Sequence, residues 1–427
     1  MTRPVVIVGA GIGGLTLALC LHRAGIGCRV YEASAQIRPL GVGINILPHA
    51  SRVLAELGLD AALARVAVQT REAVFFNRFG QRIYDEPLGR YAGYEHAQYS
   101  IHRGDLQKVL LDAVLDRIGA DAVMTGCRCV AIDDDHVGAV VHFQDPATGK
   151  PLPAQRGDAV IGCDGLHSTV RKLLHPGEGP PIYSGVNMWR GVTVWPPMLS
   201  GASMVRAGWL KTGKMVIYPI RNDVDGSGRQ LINWVAELET PQHTQRDWTR
   251  AGRIDDFIGA FADWHFDWLD APELIRHAEA ILEFPMVDQE PLPWWSRGRV
   301  TLLGDAAHPM YPRGSNGAGQ AILDARVLAK ALQSDADPAA ALKAYEAERL
   351  PVTAEVVRAN RRNPPDAILR EVFERTGDRP FMRVEDVISR EELVTLSEGY
   401  KRIAGFDRES LLQSAAPLER RSQRGSP

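Results

Sequence analysis

The chain has 427 residues, 45 % hydrophobic and 24 % charged, with 49 basic against 52 acidic side chains and a net charge of −3. That composition suits a globular chain with a large core and gives no electrostatic case for nucleic acid or an anionic membrane as partner. Five cysteines, an odd number with no secretory pattern, point to a reducing, cytoplasmic setting and not to a disulfide framework.

Residues 5–8, Val-Val-Ile-Val, read as a buried parallel strand. They run into Gly9-Ala-Gly11-Ile-Gly13-Gly14. Gly9 allows a tight turn, Gly11 a close approach of backbone to a pyrophosphate, and Gly14 close packing of the next helix on the strand. A helix over 15–24 offers its N-terminal amides to phosphate, and 26–31 returns as a second strand. Glu32, followed by Ala33, then stands where a carboxylate accepts hydrogen bonds from a ribose diol. The apolar run 5–21 is too short and too glycine-rich to cross a membrane.

Residues 75–85 suggest a hairpin, and 158–162 another short buried strand ending in Cys163-Asp164-Gly165. Between 185 and 238 the character changes: 192–195, 215–218 and 231–238 read as strands separated by turns, hence an antiparallel sheet. A strand over 299–303 leads to Gly304-Asp305, whose carboxylate suits a ribityl or sugar hydroxyl. After a loop over 309–314, Asn316-Gly317-Ala318-Gly319 opens a helix. Its positive end would favour negative charge on a reduced flavin ring. From 338 to 360 the pattern is helical, and Arg420, Arg421 and Arg424 lie in a tail expected to be disordered.

Three glycine-rich turns separated by other material imply a discontinuous nucleotide-binding domain. The expected division is 1–70, 100–181 and 275–335 for that domain and 71–99 with 182–274 for an inserted substrate-binding β-sheet. Residues 336–415 form a C-terminal helical region and 416–427 the tail. The fold class is α/β: a Rossmann-like domain with an inserted antiparallel sheet and C-terminal helices.

These segments, with Arg38-Pro-Leu-Gly-Val-Gly-Ile-Asn45, Tyr99-Ser-Ile-His-Arg103-Gly-Asp-Leu-Gln107, Met188-Trp-Arg-Gly191, Phe284-Pro-Met-Val-Asp288, Tyr311-Pro-Arg-Gly-Ser-Asn-Gly317 and Gln320-Ala-Ile-Leu-Asp324, resemble the single-component (class A) FAD-dependent aromatic hydroxylases. The likeness is to the branch of 5-methylphenazine-1-carboxylate monooxygenase and extends to about residue 360. It implies a glutathione-reductase-type FAD-binding domain with tight, non-covalent FAD, and NAD(P)H as a transient co-substrate. It further implies hydroxylation of a small aromatic or heteroaromatic, phenolic or carboxylated substrate by O2 through a flavin C4a-hydroperoxide, with or without loss of a carboxylate.

By the same resemblance Gly9, Gly11, Gly13, Gly14, Glu32 and Ala33 hold the ADP half. Arg38, Val42, Gly43 and Arg103 belong to the cofactor-binding set, Arg103 toward the flavin phosphate or ribityl chain. Asp164 and Gly165 serve FAD and the passing NAD(P)H, and Gly304 and Asp305 the ribityl side. Pro312, Gly314, Ser315, Asn316, Gly317 and Ala318 front the isoalloxazine. Many relatives carry Gly-Gln-Gly and then Asn in this loop, where this chain has Ser315-Asn316-Gly317 and Gly319.

For the substrate pocket the candidates are Trp189, Tyr218 and Trp234 as an aromatic lining, with plain sheet-face packing as the competing reading of each. Arg190 and Arg313, the latter beside Pro312, can pair with a substrate carboxylate or serve as structural ion pairs. No residue stands out as a general base: His102 and His308 lie beside cofactor turns, where histidines commonly satisfy backbone groups. No metal-ligand cluster is apparent. A flavin-dependent halogenase would need a Trp-x-Trp-x-Ile-Pro motif that 189–195 does not supply. A membrane-associated quinone hydroxylase lacks its apolar amphipathic tail, and a non-catalytic flavin-binding sensor remains the reading from another class.

Overall fold

The computed structural model describes residues 3–38, 41–135, 137–240, 251–362 and 366–413. The expected tail, with Arg420, Arg421 and Arg424, lies outside the described residues.

The run Val5–Val8 is the middle strand of a five-stranded sheet, flanked by Cys28–Tyr31 and Val160–Gly162, with Val123–Met124 and Val300–Leu302 outermost. Every pairing in it is parallel. A central parallel strand is covered on both faces, which is why four consecutive apolar residues are all buried here. The helix Ile12–Arg23 packs on this sheet and against Gly317–Ser334. It begins at Ile12, one turn before the expected residue 15. A three-stranded antiparallel sheet, Arg128–Asp134, Ala139–Gln144 and Pro151–Gly157, is appended beside it.

The second large sheet has seven strands. In spatial order they are Ile281–Asp288, Ile182–Trp195, Gln230–Glu239, Gly213–Arg221, Ser203–Trp209, Glu72–Phe76 and Arg82–Pro87. Two features depart from expectation. Residues 281–288, expected with the nucleotide segments, supply an edge strand paired with Ile182–Trp195. The sheet is also not wholly antiparallel, because Ser203–Trp209 runs parallel to Glu72–Phe76.

One face of this sheet packs on Phe257, Phe261 and Trp264, the other on Tyr311 and the C-terminal helices. The helices in that contact are Ala367–Thr376 and Arg390–Ala404; Pro338–Arg362 precedes them in the chain and Arg408–Gln413 follows. Strand Gly43–Ile46 sits tightly on the sheet because residue 43 has no side chain: a Cβ there would lie 2.7 Å from Asn233 Cβ and from Ile220 Cγ2. Gly43 N donates to Asn233 Oδ1 at 2.7 Å. Among the described residues no helix is long and apolar enough to cross a membrane, and no cluster of His, Cys, Asp and Glu could hold a metal ion.

Candidate active site

Because the strands of the first sheet are parallel, the turns that follow them emerge at the same, carboxyl-terminal edge. This brings Gly9, Cys163-Asp164-Gly165 and Gly304 together from positions far apart in the chain. They are in contact: a Cβ at Gly9, where φ is +106°, would sit 2.5 Å from the Cys163 carbonyl oxygen. A Cβ at Gly13 would sit 2.8 Å from Leu303 Cδ2, and one at Gly14 would sit 2.1 Å from the Gly9 carbonyl oxygen. Gly11 is different. Nothing lies within 4 Å of where its side chain would start, in front of the amides that open Ile12–Arg23. The Cβ position of Gly165 is open as well.

Glu32 is fixed at the end of its strand by Ala10 N, donating to Oε2 at 2.9 Å, and Ser34 N, donating to Oε1 at 2.8 Å. Each carboxylate oxygen keeps a lone pair for a diol. Gln107, which sequence reasoning did not single out, donates to Ala10 O at 2.8 Å and holds the first glycine turn from the helix Arg103–Arg117. Arg103 opens that helix, exposed and next to Gly41, with its amide on Val42 O at 3.0 Å. His102 Nε2 meets Gly41 O at 3.0 Å. Half-buried Ala33 follows Glu32, whereas Arg38 stands on an outer exposed loop, bonded to Gln36 Oε1.

Asp164 is anchored within its own turn. Its carboxylate accepts from the Ser168 hydroxyl and from Thr169 N and Val170 N, at 2.6 and 3.2 Å, so it fixes the start of the helix Thr169–Leu174. Burial raises its pKa. From that helix the buried Arg171 donates to Ala306 O and Ala307 O, both at 2.9 Å, strapping the second glycine segment to the third.

Asp305 is exposed at the same edge, 3.7 Å by its Oδ1 from the Cβ position of Gly317. It therefore faces the start of Gly317–Ser334. The buried carboxylate behind it is Asp324, which accepts from Gly304 N at 3.1 Å, His308 Nε2 at 2.6 Å and Arg349 Nε at 2.7 Å. Burial pushes its pKa up, but His308 and Arg349 outweigh burial and hold it below the usual range. His308 is thus a structural partner of Asp324.

On the sheet the strand alternation divides the pocket candidates. Met188 and Arg190 face a small, partly open pocket with Tyr218, Pro312, Arg313, Gly314 and Ser315. Trp189 and Trp234 point the other way and do not line it. Trp189 stacks on Phe257 with centroids 4.9 Å apart. Trp234 lies against Gly191, where a Cβ would be 2.4 Å from its ring, and donates to Thr193 Oγ1 at 3.1 Å.

Arg190 Nη2 donates to Gly43 O at 2.8 Å, and its guanidinium lies close enough to the Tyr218 hydroxyl for each to favour the other's charged form. Burial lowers the Arg190 pKa and raises that of Tyr218. Arg313 lies over the Tyr311 ring, 5.7 Å from its centroid. The inner wall carries charges that sequence reasoning missed: Arg206 and Lys214, with Glu237 and Asp366. Lys214 Nζ lies 3.0 Å from Glu237 Oε1 and 2.6 Å from Asp366 Oδ2, and Arg206 pairs with Asp366. The available sign was charge at the inward positions of apolar strands. This wall is internally neutral, so the uncompensated charges of the pocket are Arg190 and Arg313.

A dinucleotide-binding edge at Asp305 and Gly317, and a cationic pocket lined by the adjoining residues 312–315, suit a flavoprotein acting on a small molecule. The chain belongs to the FAD-binding-domain family, whose model (FAD binding domain) matches residues 2–254 and 271–360. It is 46 % identical over 361 residues to a phenazine 1,6-dicarboxylic acid hydroxylase of Lysobacter antibioticus, covering 84 % of this chain and 89 % of the relative. To a 3-amino-4-hydroxybenzoate 2-monooxygenase of Streptomyces platensis it is 34 % identical over 367 residues, covering 84 % and 87 %. The structure of Klebsiella pneumoniae HpxO with FAD and uric acid superposes with a TM-score of 0.70 at 25 % identity, over 96 % of this chain and 95 % of that one. The protein is an FAD-dependent aromatic monooxygenase.

Proposed function

We propose that the protein hydroxylates a carboxylated aromatic or heteroaromatic ring, drawing on NAD(P)H and O2. The observation that supports this reading is the excess of positive charge contributed by Arg190 and Arg313 to a pocket whose remaining charges cancel. The named substrates of the two relatives, a phenazine dicarboxylic acid and an aminohydroxybenzoate, are of this kind. The free state of all five cysteines suits work in a reducing cytoplasm.

The open space at Gly11 and Gly165 and the fixed Glu32 carboxylate fit the ADP half of FAD. The edge formed by Gly304, Asp305 and Gly317 fits its ribityl and ring half. When bound, FAD supplies the hydride acceptor and the activation of dioxygen. The chain's own part is to orient. Arg190 and Arg313 orient a carboxylate by charge-assisted hydrogen bonds. The amides that open Gly317–Ser334 would favour negative charge on a flavin ring held in front of them. Met188, Val216 and Val235 supply the apolar part of the pocket wall, beside the mutually paired charges of Arg206, Lys214, Glu237 and Asp366.

The test is NAD(P)H oxidation by the FAD-loaded protein with a panel of aromatic acids and their amides. Acids that accelerate oxidation and yield hydroxylated product, with amides inert, support the reading. Indifference to every acid, with FAD bound, would favour a non-catalytic flavin-binding role.

A further inference from the structure

The loop 311–317 takes a conformation that its own sequence does not favour. Gly314 has φ +75° and Ser315 has φ +57°, two successive left-handed residues of which the second is not glycine. A non-glycine residue there costs about 1 kcal/mol or more, so something outside the loop must hold it.

Asn45 Nδ2 donates to Ser315 Oγ at 3.4 Å, and the two ends of the loop are held by one hydroxyl from outside it. Tyr400, on the helix Arg390–Ala404, donates to Asn360 Oδ1 at 2.9 Å and accepts from Asn316 Nδ2 at 3.3 Å. Asn360 Nδ2 in turn donates to Tyr311 O at 3.3 Å. The hydroxyl thus ties the two ends of the loop to each other through a pair of asparagines, both buried. It also fills the place a side chain at 314 would take, 2.0 Å from the Cβ position. The first turn of Gly317–Ser334 is tied to the same helix: Gln320 Nε2 donates to Asn316 Oδ1 and Ala404 O, both at 3.3 Å, and Arg349 Nη2 donates to Gln320 Oε1 at 2.6 Å. Tyr400 lies beyond residue 360, where the family match ends. The hydroxyl therefore comes from a C-terminal segment that the family model does not describe, while the asparagines it joins lie inside the match.

We propose that Tyr400 is a positioning residue for the flavin: its hydroxyl sets the loop 311–317 and, through it, the direction of the helix N-terminus that faces the ring. This rests on the reading that the loop fronts the isoalloxazine. Without the hydroxyl, Asn316 Nδ2 and Asn360 Oδ1 lose their shared partner and the left-handed pair relaxes. The helix amides then no longer point where negative charge develops on reduction.

The test is Tyr400→Phe, which keeps the ring and its contact with Phe406, centroids 6.2 Å apart. Three quantities are read: the visible spectrum of bound flavin, its midpoint potential, and the FAD dissociation constant of the deflavinated protein. The expected results are a changed spectrum, a potential shifted negative, and FAD binding weakened about tenfold, the effect of one buried hydrogen bond. Asn316→Ala should do the same, and the double variant should add little to either. A Tyr400→Phe protein of lower Tm but unchanged spectrum, potential and FAD affinity would overturn the proposal, leaving the hydroxyl a purely structural tie. If Tyr400→Phe does not fold, Asn316→Ala carries the same three readouts, and the same results support or overturn the proposal. Gly317→Val separates the two levels: unchanged FAD affinity there would sink the reading of the loop itself, and lost affinity there with an unaltered Tyr400→Phe would sink only the proposal.

Discussion

Gly11 and Gly14 sit three residues apart in one motif, yet the structure gives their substitutions opposite consequences. Gly14→Ala puts a Cβ 2.1 Å from the carbonyl oxygen of Gly9 and 3.2 Å from its carbonyl carbon. Both are backbone atoms in the centre of the glycine turn, so no side chain can swing aside. The cost belongs at the upper end of the roughly 1–3 kcal/mol of overpacking, and the helix propensity gained, about 1 kcal/mol, does not offset it. Gly11 has extended backbone, φ −73° and ψ −177°, and open space where a side chain would start. Gly11→Val should therefore leave the stability of the FAD-free protein within about 0.5 kcal/mol of wild type. A valine there stands between the pyrophosphate and the amides of Ile12–Arg23. Losing two charge-assisted hydrogen bonds of about 1.5–3 kcal/mol each weakens FAD roughly one hundred- to ten-thousand-fold. Urea denaturation of the deflavinated proteins and fluorescence titration with FAD measure the two effects separately. A Gly11→Val protein that keeps FAD affinity, or a Gly14→Ala protein as stable as wild type, would refute the reasoning.

Arg313→Met should weaken carboxylated aromatic ligands about tenfold, the lower range for a half-exposed charge, while FAD content stays at wild-type level; equal loss of flavin would show that the charge serves the cofactor. Trp234→Phe, on the far face of the sheet, should cost about 1–3 kcal/mol in denaturation and leave substrate KM unchanged. A large KM change without loss of stability would put that side chain back in the pocket. His49 is buried, and burial lowers its pKa from 6.5 to about 3. The unfolded chain therefore takes up a proton that the folded chain refuses, so this residue's contribution is complete above pH 6.5 and falls as pH drops toward 3. The slope from that one proton is at most about 1.4 kcal/mol per pH unit. His49→Leu should flatten the stability profile between those limits, and an unchanged slope would contradict the assignment.

What the sequence revealed was local. The first glycine turn and Glu32 are joined by short-range spacing, and each of the three turns follows a short apolar run, so their convergence needed only a parallel sheet. The two tryptophans show the limit of local reading. Adjacent residues on a strand face opposite ways, so Trp189 and Arg190 cannot both line one wall, and the strand over 182–195 is far longer than the 192–195 that its pattern suggested. Trp234 needed the cross-strand register that sets it against Gly191. The partners in the buried network around Asp324 and Tyr400 are separated by as many as 84 residues and follow no period. Each of those residues, taken alone, reads as an ordinary polar position on a helix. Asp366 precedes Ala367–Thr376 in the same anonymous way, and only the fold carries it to Arg206 and Lys214.

Arg190 and Arg313 are proposed to select aromatic acids as substrates of this hydroxylase. The most direct measurement of that selection is the rate of flavin reduction by NADH or NADPH in the FAD-loaded protein, with heteroaromatic and benzenoid acids each set against their neutral amides. At least one acid should accelerate reduction and be recovered hydroxylated, and its amide should do neither. Equal stimulation by acid and amide would contradict the charge argument, and a flavin insensitive to every compound would contradict the hydroxylase reading of the pocket.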